Sequence, residues 1–248
     1  MTPFFKVLVF SRTLAYRHAS IPAGIRAFHR LAADSITTPH PFRIDDSEDP
    51  SLLTKEQLSE YRVIVLLQCS GDFLNDDQLE ALKGFVRSGG GIVAVHCSSF
   101  ALQSSKWYES LIGAIFDNHP EPRLGRIRVL DNNHPIIRTA RRGISNEARE
   151  TSDAPVEIET ERTWLDEWYN FRTHPRKVSD KLHVLLAVDE ASYTGGTHGE
   201  DHPVAWCQEF DGGRCFYTSL GHFDEAYEDE WFIGQLYGGI LWAARLEA

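Results

Sequence analysis

Gly89-Gly90-Gly91-Ile92-Val93-Ala94-Val95-His96-Cys97-Ser98-Ser99 stops a helix, builds a strand and then delivers two reactive side chains. The glycines supply the left-handed conformations that end helices, and the short apolar run after them reads as a strand buried on both faces. Parallel α/β sheets bind their ligands at the carboxyl ends of strands. His96 and Cys97 are expected at such an end.

The flanking sequence repeats this grammar. Lys6 to Phe10 is a β-branched run that predicts a first parallel strand, and Ile21 to Ala33 follows with apolar residues at helical spacing. Ser20 stands at the N-cap position with Pro22 in the first turn, so Arg17-His18 falls in a strand-to-helix loop. Phe42 to Asp45 predicts a second strand, Thr54 to Leu58 a short helix, and Val63 to Leu67 a central strand. Asn75 or Asp76 caps a helix striped by Leu79, Leu82, Phe85 and Val86 that ends at Gly89. Strand, loop and helix in alternation favour a parallel sheet.

Downstream the pattern is less regular. Trp107 to Phe116 reads as helix, Asn118 to Pro122 as loop, Arg126 to Leu130 as strand and Asn132 to Pro135 as turn. Ile144 to Glu161 is polar and acidic, a surface composition, and Thr163 to Phe171 is aromatic with paired acids. Val184 to Val188, Val204 to Glu209 and Arg214 to Thr218 predict three strands, the last two joined at Asp211-Gly212 in a hairpin. Glu230 to Ala244 closes the chain as a buried aromatic helix that covers the sheet or supports a homo-oligomer contact.

Size and composition fit one α/β domain over residues 1–248, with 42% hydrophobic residues to build its core. A net charge of −11 argues against a nucleic-acid partner, which would need a basic stripe. Four cysteines without CxxC spacing suggest neither a zinc knuckle nor a disulfide framework. The N-terminal apolar stretch is too short for a signal peptide, and Gln235 and several glycines break the apolar region near the C-terminus. A cytoplasmic location with no membrane partner is the expectation.

Of eleven histidines, His18, His96, His119, His134 and His222 fall in loops after predicted strands. His222 ends a strand-to-glycine segment and is followed by Asp224, a His-x-Asp arrangement in which the acid would orient the ring. An elbow side chain with a late His-x-Asp/Glu is the plan of a nucleophile and its oriented base, as class I glutamine amidotransferases use it. Here the elbow residue is His96, and a histidine facing a histidine suits a metal or general-base site better than an amidase. His18 is either a ligand or a solvated loop residue, and His119 lies in an ordered loop before Pro120. Glu167 carries chemistry or a structural hydrogen bond. His134, His174, His198 and His202 read as structural or surface residues. Trp164, Trp168, Tyr169 and Phe171 form either a sugar-stacking platform or core.

Six motifs in order carry a family resemblance: Arg17 to Ile21, Gly89 to His96, Asn118 to Pro120, Asp166 to Tyr169, His202 to Trp206, and Gly213 to His222. On these the chain resembles the ThuA-like family, named for trehalose utilisation. The resemblance implies a flavodoxin-like three-layer α/β/α sandwich of the class I glutamine amidotransferase type, with a mostly parallel sheet and a pocket at its carboxyl strand ends. It also implies a role in sugar catabolism and a bound divalent metal. Cys97 departs from the small residue common after the elbow histidine, which leaves a thiol role open.

Three functions compete. The first is an enzyme acting on a sugar or keto-sugar, with His96, His222 and Glu167 as catalytic groups and His18, His119, Trp168 and Tyr169 at the substrate. In it, His18, His96 and His222 hold zinc or another first-row ion, since imidazoles with a carboxylate suit such metals. No nucleotide cofactor is indicated. The second is an amidase-like hydrolase with Cys97 as nucleophile and His222 as base. The third is a non-catalytic sugar-binding protein on the same fold. The first requires His18, His96 and His222 to converge on one pocket.

Overall fold

The computed structural model describes residues 4–142 and 160–246. Of the acidic stretch expected at the surface, residues 144–159 lie outside the described residues, while Thr160 and Glu161 are exposed.

The apolar runs form the strands their composition predicts. These are β1 (Phe5–Phe10), β2 (Phe42–Ser47), β3 (Val63–Leu67) and β4 (Gly91–Val95), paired in the parallel order β2-β1-β3-β4. Every residue of β3 and β4 is buried, which explains runs without polar alternation. Alternate residues serve opposite layers. Val7, Val9, Val63, Val65, Val93 and Val95 share a core with α1 (Ile21–Asp34) on one face. Leu8, Phe10, Ile64, Leu66, Ile92 and Ala94 share another with α2 (Lys55–Leu58), α3 (Asp76–Arg87) and α4 (Lys106–Ile112). The result is a three-layer sandwich.

Local signals set the helix ends. Asn75 accepts the Gln78 N–H while the Gln78 side chain accepts the Asn75 N–H, a complete capping box on α3. Helix α4 stops at Ile112, short of the expected Phe116, because Gly113 takes a left-handed φ of 88° and caps it. Phe116 passes instead into β5 (Phe116–Asn118). The chain continues through β6 (Arg123–Val129) to an unexpected helix, α5 (Pro135–Arg142). Its start coincides with the predicted turn, Pro135 occupying a position where helices tolerate proline.

The remaining strands are β7 (Glu161–Asp166), β8 (Asn170–Phe171), β9 (His183–Asp189), β10 (Pro203–Phe210) and β11 (Gly213–Thr218), with the short helix α6 (Pro175–Val178) before β9. Strand β11 lies parallel to β4, and from it β10, β9, β6 and β7 continue the sheet as an antiparallel series. Among the described residues the resulting mixed sheet has nine strands and is mostly parallel in direction, with β10 and β6 reversed. Asp211 and Gly212 take φ of 49° and 95° and close the predicted hairpin between β10 and β11. Strands β5 and β8 form a separate ribbon.

Helix α7 (Glu230–Ala243) is buried on nearly all sides. The glycines that interrupt its apolar run serve packing. A Cβ on Gly234 would stand 2.7 Å from the Ala140 Cα, and one on Gly238 2.9 Å from the Ile136 Cα, so α5 and α7 touch backbone to backbone. No helix of the described residues is long and apolar enough to cross a membrane.

Candidate functional site

The carboxyl end of β4 is an elbow. His96 begins a 3₁₀ turn over His96–Phe100 and takes a left-handed φ of 54°, a conformation that costs a non-glycine residue about 1–3 kcal/mol. Gln68, just past the end of β3, has a similar φ of 52°. Both side chains are fully buried. The His96 Nδ1 stands 2.6 Å from the Ser219 carbonyl, which can only accept, so Nδ1 carries the proton and Nε2 presents its lone pair.

Three further loops meet that lone pair. His18, between β1 and α1, is buried, with its Nε2 3.1 Å from the His96 Nε2. Glu167 follows β7 and places Oε2 3.3 Å from the His96 Nε2 and 3.8 Å from the His18 Nε2. His222 follows β11, with Nδ1 3.2 Å from the same Oε2. That contact lacks hydrogen-bond alignment, and the His222 Nδ1 is a buried polar atom without a hydrogen-bond partner. One nitrogen from each ring and one Glu167 oxygen lie within 4.8 Å of one another. The expected convergence of His18, His96 and His222 is therefore present, with Glu167 at its hub.

Two other expected residues join. The His119 Nε2 is 3.4 Å from the second Glu167 oxygen, Oε1, and its Nδ1 is 2.9 Å from the Pro120 carbonyl. The Tyr169 hydroxyl lies 2.9 Å from the His96 Nε2 and donates to its lone pair. Tyr169 is only 2% exposed, so its hydroxyl reaches the site while its ring stays buried. Trp168 is not brought in. It is fully buried, its indole N–H donates to the Arg123 carbonyl, and Gly125 leaves room for its ring. Trp164 and Phe171 are likewise buried, so this aromatic cluster is core.

Electrostatics follow from burial and company. Burial pushes the Glu167 carboxyl up, but His18, His222 and His96 outweigh it and hold the group well below the carboxylate range. Burial takes His18 down to about 4, against the pull of Glu167. His222 moves the other way: burial opposes its charge, yet the Glu167 carboxylate raises it above the ordinary histidine value. The site thus combines an ionised carboxylate, a neutral His18 and a His222 that holds its proton more readily.

Some partners differ from those expected. Asp224 is exposed, and the acids that hold His222 are Glu167 at its ring and Asp166 at its backbone N–H. The Ser20 side chain does not cap α1; its hydroxyl donates to the His222 carbonyl at 2.7 Å. Cys97 Sγ lies 3.3 Å from the His18 Nδ1 and donates to the Gln68 carbonyl, so its histidine partner is His18 rather than His222. Burial pushes that thiol far up, and the Glu167 charge adds to the effect.

Two residues without an assigned role organise the centre. Asp166, fully buried, accepts N–H groups from the β11 loop, and Gln68 donates from Nε2 to the Gly221 carbonyl and the Ser20 hydroxyl. Gln68 is a polar residue directly after the apolar run of β3, which is the sequence signal it carries, whereas β7 is mixed in composition and gives Asp166 no such signal.

A family model described as ThuA, trehalose utilisation, matches residues 6–243. Among curated proteins none matches the chain. A ThuA-like protein from Bacteroides uniformis superposes with a TM-score of 0.73 at 19% identity, over 98% of this chain and 92% of that one. A ThuA-like protein from Parabacteroides merdae gives 0.70 at 16% identity, over 99% and 92%. A cytoplasmic protein from Salmonella typhimurium gives 0.55 at 11% identity, over 96% and 99%. At these identities the likeness bears on the fold alone.

Proposed function

The chain belongs to the ThuA, or trehalose utilisation, family, and on that premise we propose that it is a metal-dependent enzyme of carbohydrate catabolism acting on a sugar or keto-sugar. The observation that carries this reading is the convergence of three imidazoles and Glu167, with the buried His222 Nδ1 left without a hydrogen bond. A buried nitrogen with no hydrogen bond, beside an ionised carboxylate, has its lone pair available to a cation.

The donor set fits zinc or another first-row ion. His18 Nε2, His96 Nε2, His222 Nδ1 and Glu167 Oε2 would hold it; the His18–His96 separation and the three to Glu167 run from 3.1 to 3.8 Å, and the ligand atoms of the four residues lie within 4.8 Å of one another. Ligands about 2.0–2.1 Å from a tetrahedral ion stand about 3.3 Å apart, within that span. The Tyr169 hydroxyl would release the His96 lone pair by turning its O–H bond, with the ring unmoved. When bound, such an ion polarises a carbonyl or hydroxyl oxygen as a Lewis acid.

The chain's own residues supply proton transfer. His119 is partly exposed, and donation from its Nδ1 to the Pro120 carbonyl leaves Nε2 to exchange a proton with a substrate group. Glu167 Oε1 faces that nitrogen and stabilises the imidazolium that results. The Ser219 carbonyl holds His96 in the one tautomer that leaves Nε2 unprotonated. Proton abstraction beside a sugar carbonyl uses these parts.

The test is elemental analysis of untagged protein, followed by turnover of glucosides and their keto forms with and without zinc. One equivalent of metal, activity that disappears with chelator and returns with zinc, and loss of both in His96→Ala are the expected results. Protein that binds no metal and turns over no sugar would refute the reading.

A further inference from the structure

We propose that Tyr16 is the platform on which the pyranose ring of the substrate stacks, an assignment that rests on the carbohydrate reading above. A pyranose offers an apolar C–H face rimmed by hydroxyls, so its site needs an exposed aromatic ring next to polar or metal-ligating groups. The aromatic cluster of Trp164, Trp168, Tyr169 and Phe171 offers no such ring, since all four are buried. Tyr16 does. It is 63% exposed, and its ring centroid is 4.7 Å from that of His18, edge to face at 78°. Leu14, two residues earlier, is 58% exposed, so two large apolar side chains face solvent within the short loop that leads to His18.

The loop is held in place. Leu14 donates its N–H to the Ser70 carbonyl at 2.8 Å, and the Ser70 hydroxyl donates to the Tyr16 carbonyl at 2.6 Å. Arg17 pairs with Glu48 at 2.6 Å. Gly71, at a φ of 74°, lets the loop approach so closely that a Cβ there would stand 3.1 Å from the Ala15 nitrogen. Backbone anchored on both sides of Tyr16, with the ring left open, is the arrangement of a preorganised contact surface. The ring packs against His18, whose Nε2 is 3.8 Å from Glu167 Oε2, so a sugar stacked on Tyr16 would be one imidazole away from the Glu167 carboxylate.

The test is ligand-observed NMR titration of the zinc-loaded protein with trehalose and methyl α-D-glucopyranoside, in the parent, Tyr16→Phe and Tyr16→Ala. Tyr16→Phe should bind within about twofold of the parent, and Tyr16→Ala at least about tenfold more weakly, with zinc content unchanged in both. Equal binding by Tyr16→Ala would overturn the platform and leave the carbohydrate reading standing. Loss of zinc together with affinity in Tyr16→Ala would make the ring a support for His18 and overturn the proposal. A change of sedimentation mass in that variant would make the loop a self-association surface and would likewise overturn it. A parent protein that binds neither sugar would overturn the platform, while the carbohydrate reading would still be decided by the turnover of glucosides and their keto forms.

Discussion

The Asp166 carboxylate accepts the backbone N–H of His222 at 3.2 Å, although β7, which carries Asp166, lies three strands beyond the neighbour of β11 in the sheet order. The same side chain accepts the N–H of Gly221 and of Glu167 and the indole N–H of Trp164, each at 2.9 Å. The far edge of the sheet is thereby tied back over the parallel half, and one buried group fixes the backbone of both Glu167 and His222. Replacing it with alanine strands four buried donors. Asp166→Ala should lose about 3–5 kcal/mol of stability, and Asp166→Asn should recover only part, because its NH₂ faces N–H groups. Urea midpoints at an unchanged m-value measure this loss.

Zinc should stabilise the folded chain, since the four donors converge only in the native state. At a free concentration of one hundred times Kd the gain is about 2.7 kcal/mol, read as a rise in Tm that chelator reverses. His222→Ala removes the nitrogen that has no hydrogen-bond partner. It should weaken zinc at least about a hundredfold, beyond the usual effect of changing a group that merely orients a ligand. An unchanged Tm on zinc addition would contradict the assigned ligands.

The parallel half and its elbow were legible because their determinants are local. Apolar runs mark β1, β3 and β4, and the glycines before β4 mark where α3 must stop. His18, His96 and His222 could be nominated because each follows a strand on the same edge. Long-range contacts were not legible. The sequence offers Asp224 as the acid for His222 because it is two residues away, whereas the structure uses Asp166 and Glu167, over fifty residues earlier. Ser20 has the sequence of a cap, but its hydroxyl serves the His222 carbonyl. Trp168, expected at the substrate, is core, while Tyr16, in a polar loop whose aromatic had no assigned role, is exposed. Burial of single side chains depends on tertiary packing, which periodicity does not encode.

His198 should make the protein lose stability on mild acidification. Its ring stacks on Phe171, and its Nε2 accepts the Phe171 N–H at 3.0 Å, a bond that requires an unprotonated nitrogen. Burial, with His202 and His174 adding to it, takes its pKa down to about 4. Below the unfolded value of about 6.5 the unfolded chain binds the proton first, so stability falls as pH drops from there to about 4 and is unaffected above. The slope is at most about 1.4 kcal/mol per pH unit, reduced by the partial exposure of the ring. Urea midpoints between pH 7.5 and 4.5 should fall less steeply in His198→Gln, whose amide oxygen can take over the Phe171 N–H. Parallel slopes in the two proteins would show that His198 does not titrate in this window.

Cys97 should be inert in the native state. Its Sγ is buried, donates to the Gln68 carbonyl and rests 3.3 Å from the His18 Nδ1, and burial together with the Glu167 charge suppresses the thiolate. Iodoacetamide at neutral pH should leave it unmodified over hours, while urea should expose all four cysteines, each of them buried and unpaired in the fold. Cys97→Ala should keep zinc-dependent turnover and weaken zinc by about tenfold, because the thiol only steadies the His18 ring. Rapid native labelling that slows in His222→Ala would instead make Cys97 a nucleophile with His222 as its base, and the metal-dependent chemistry assigned to this centre would have to be abandoned.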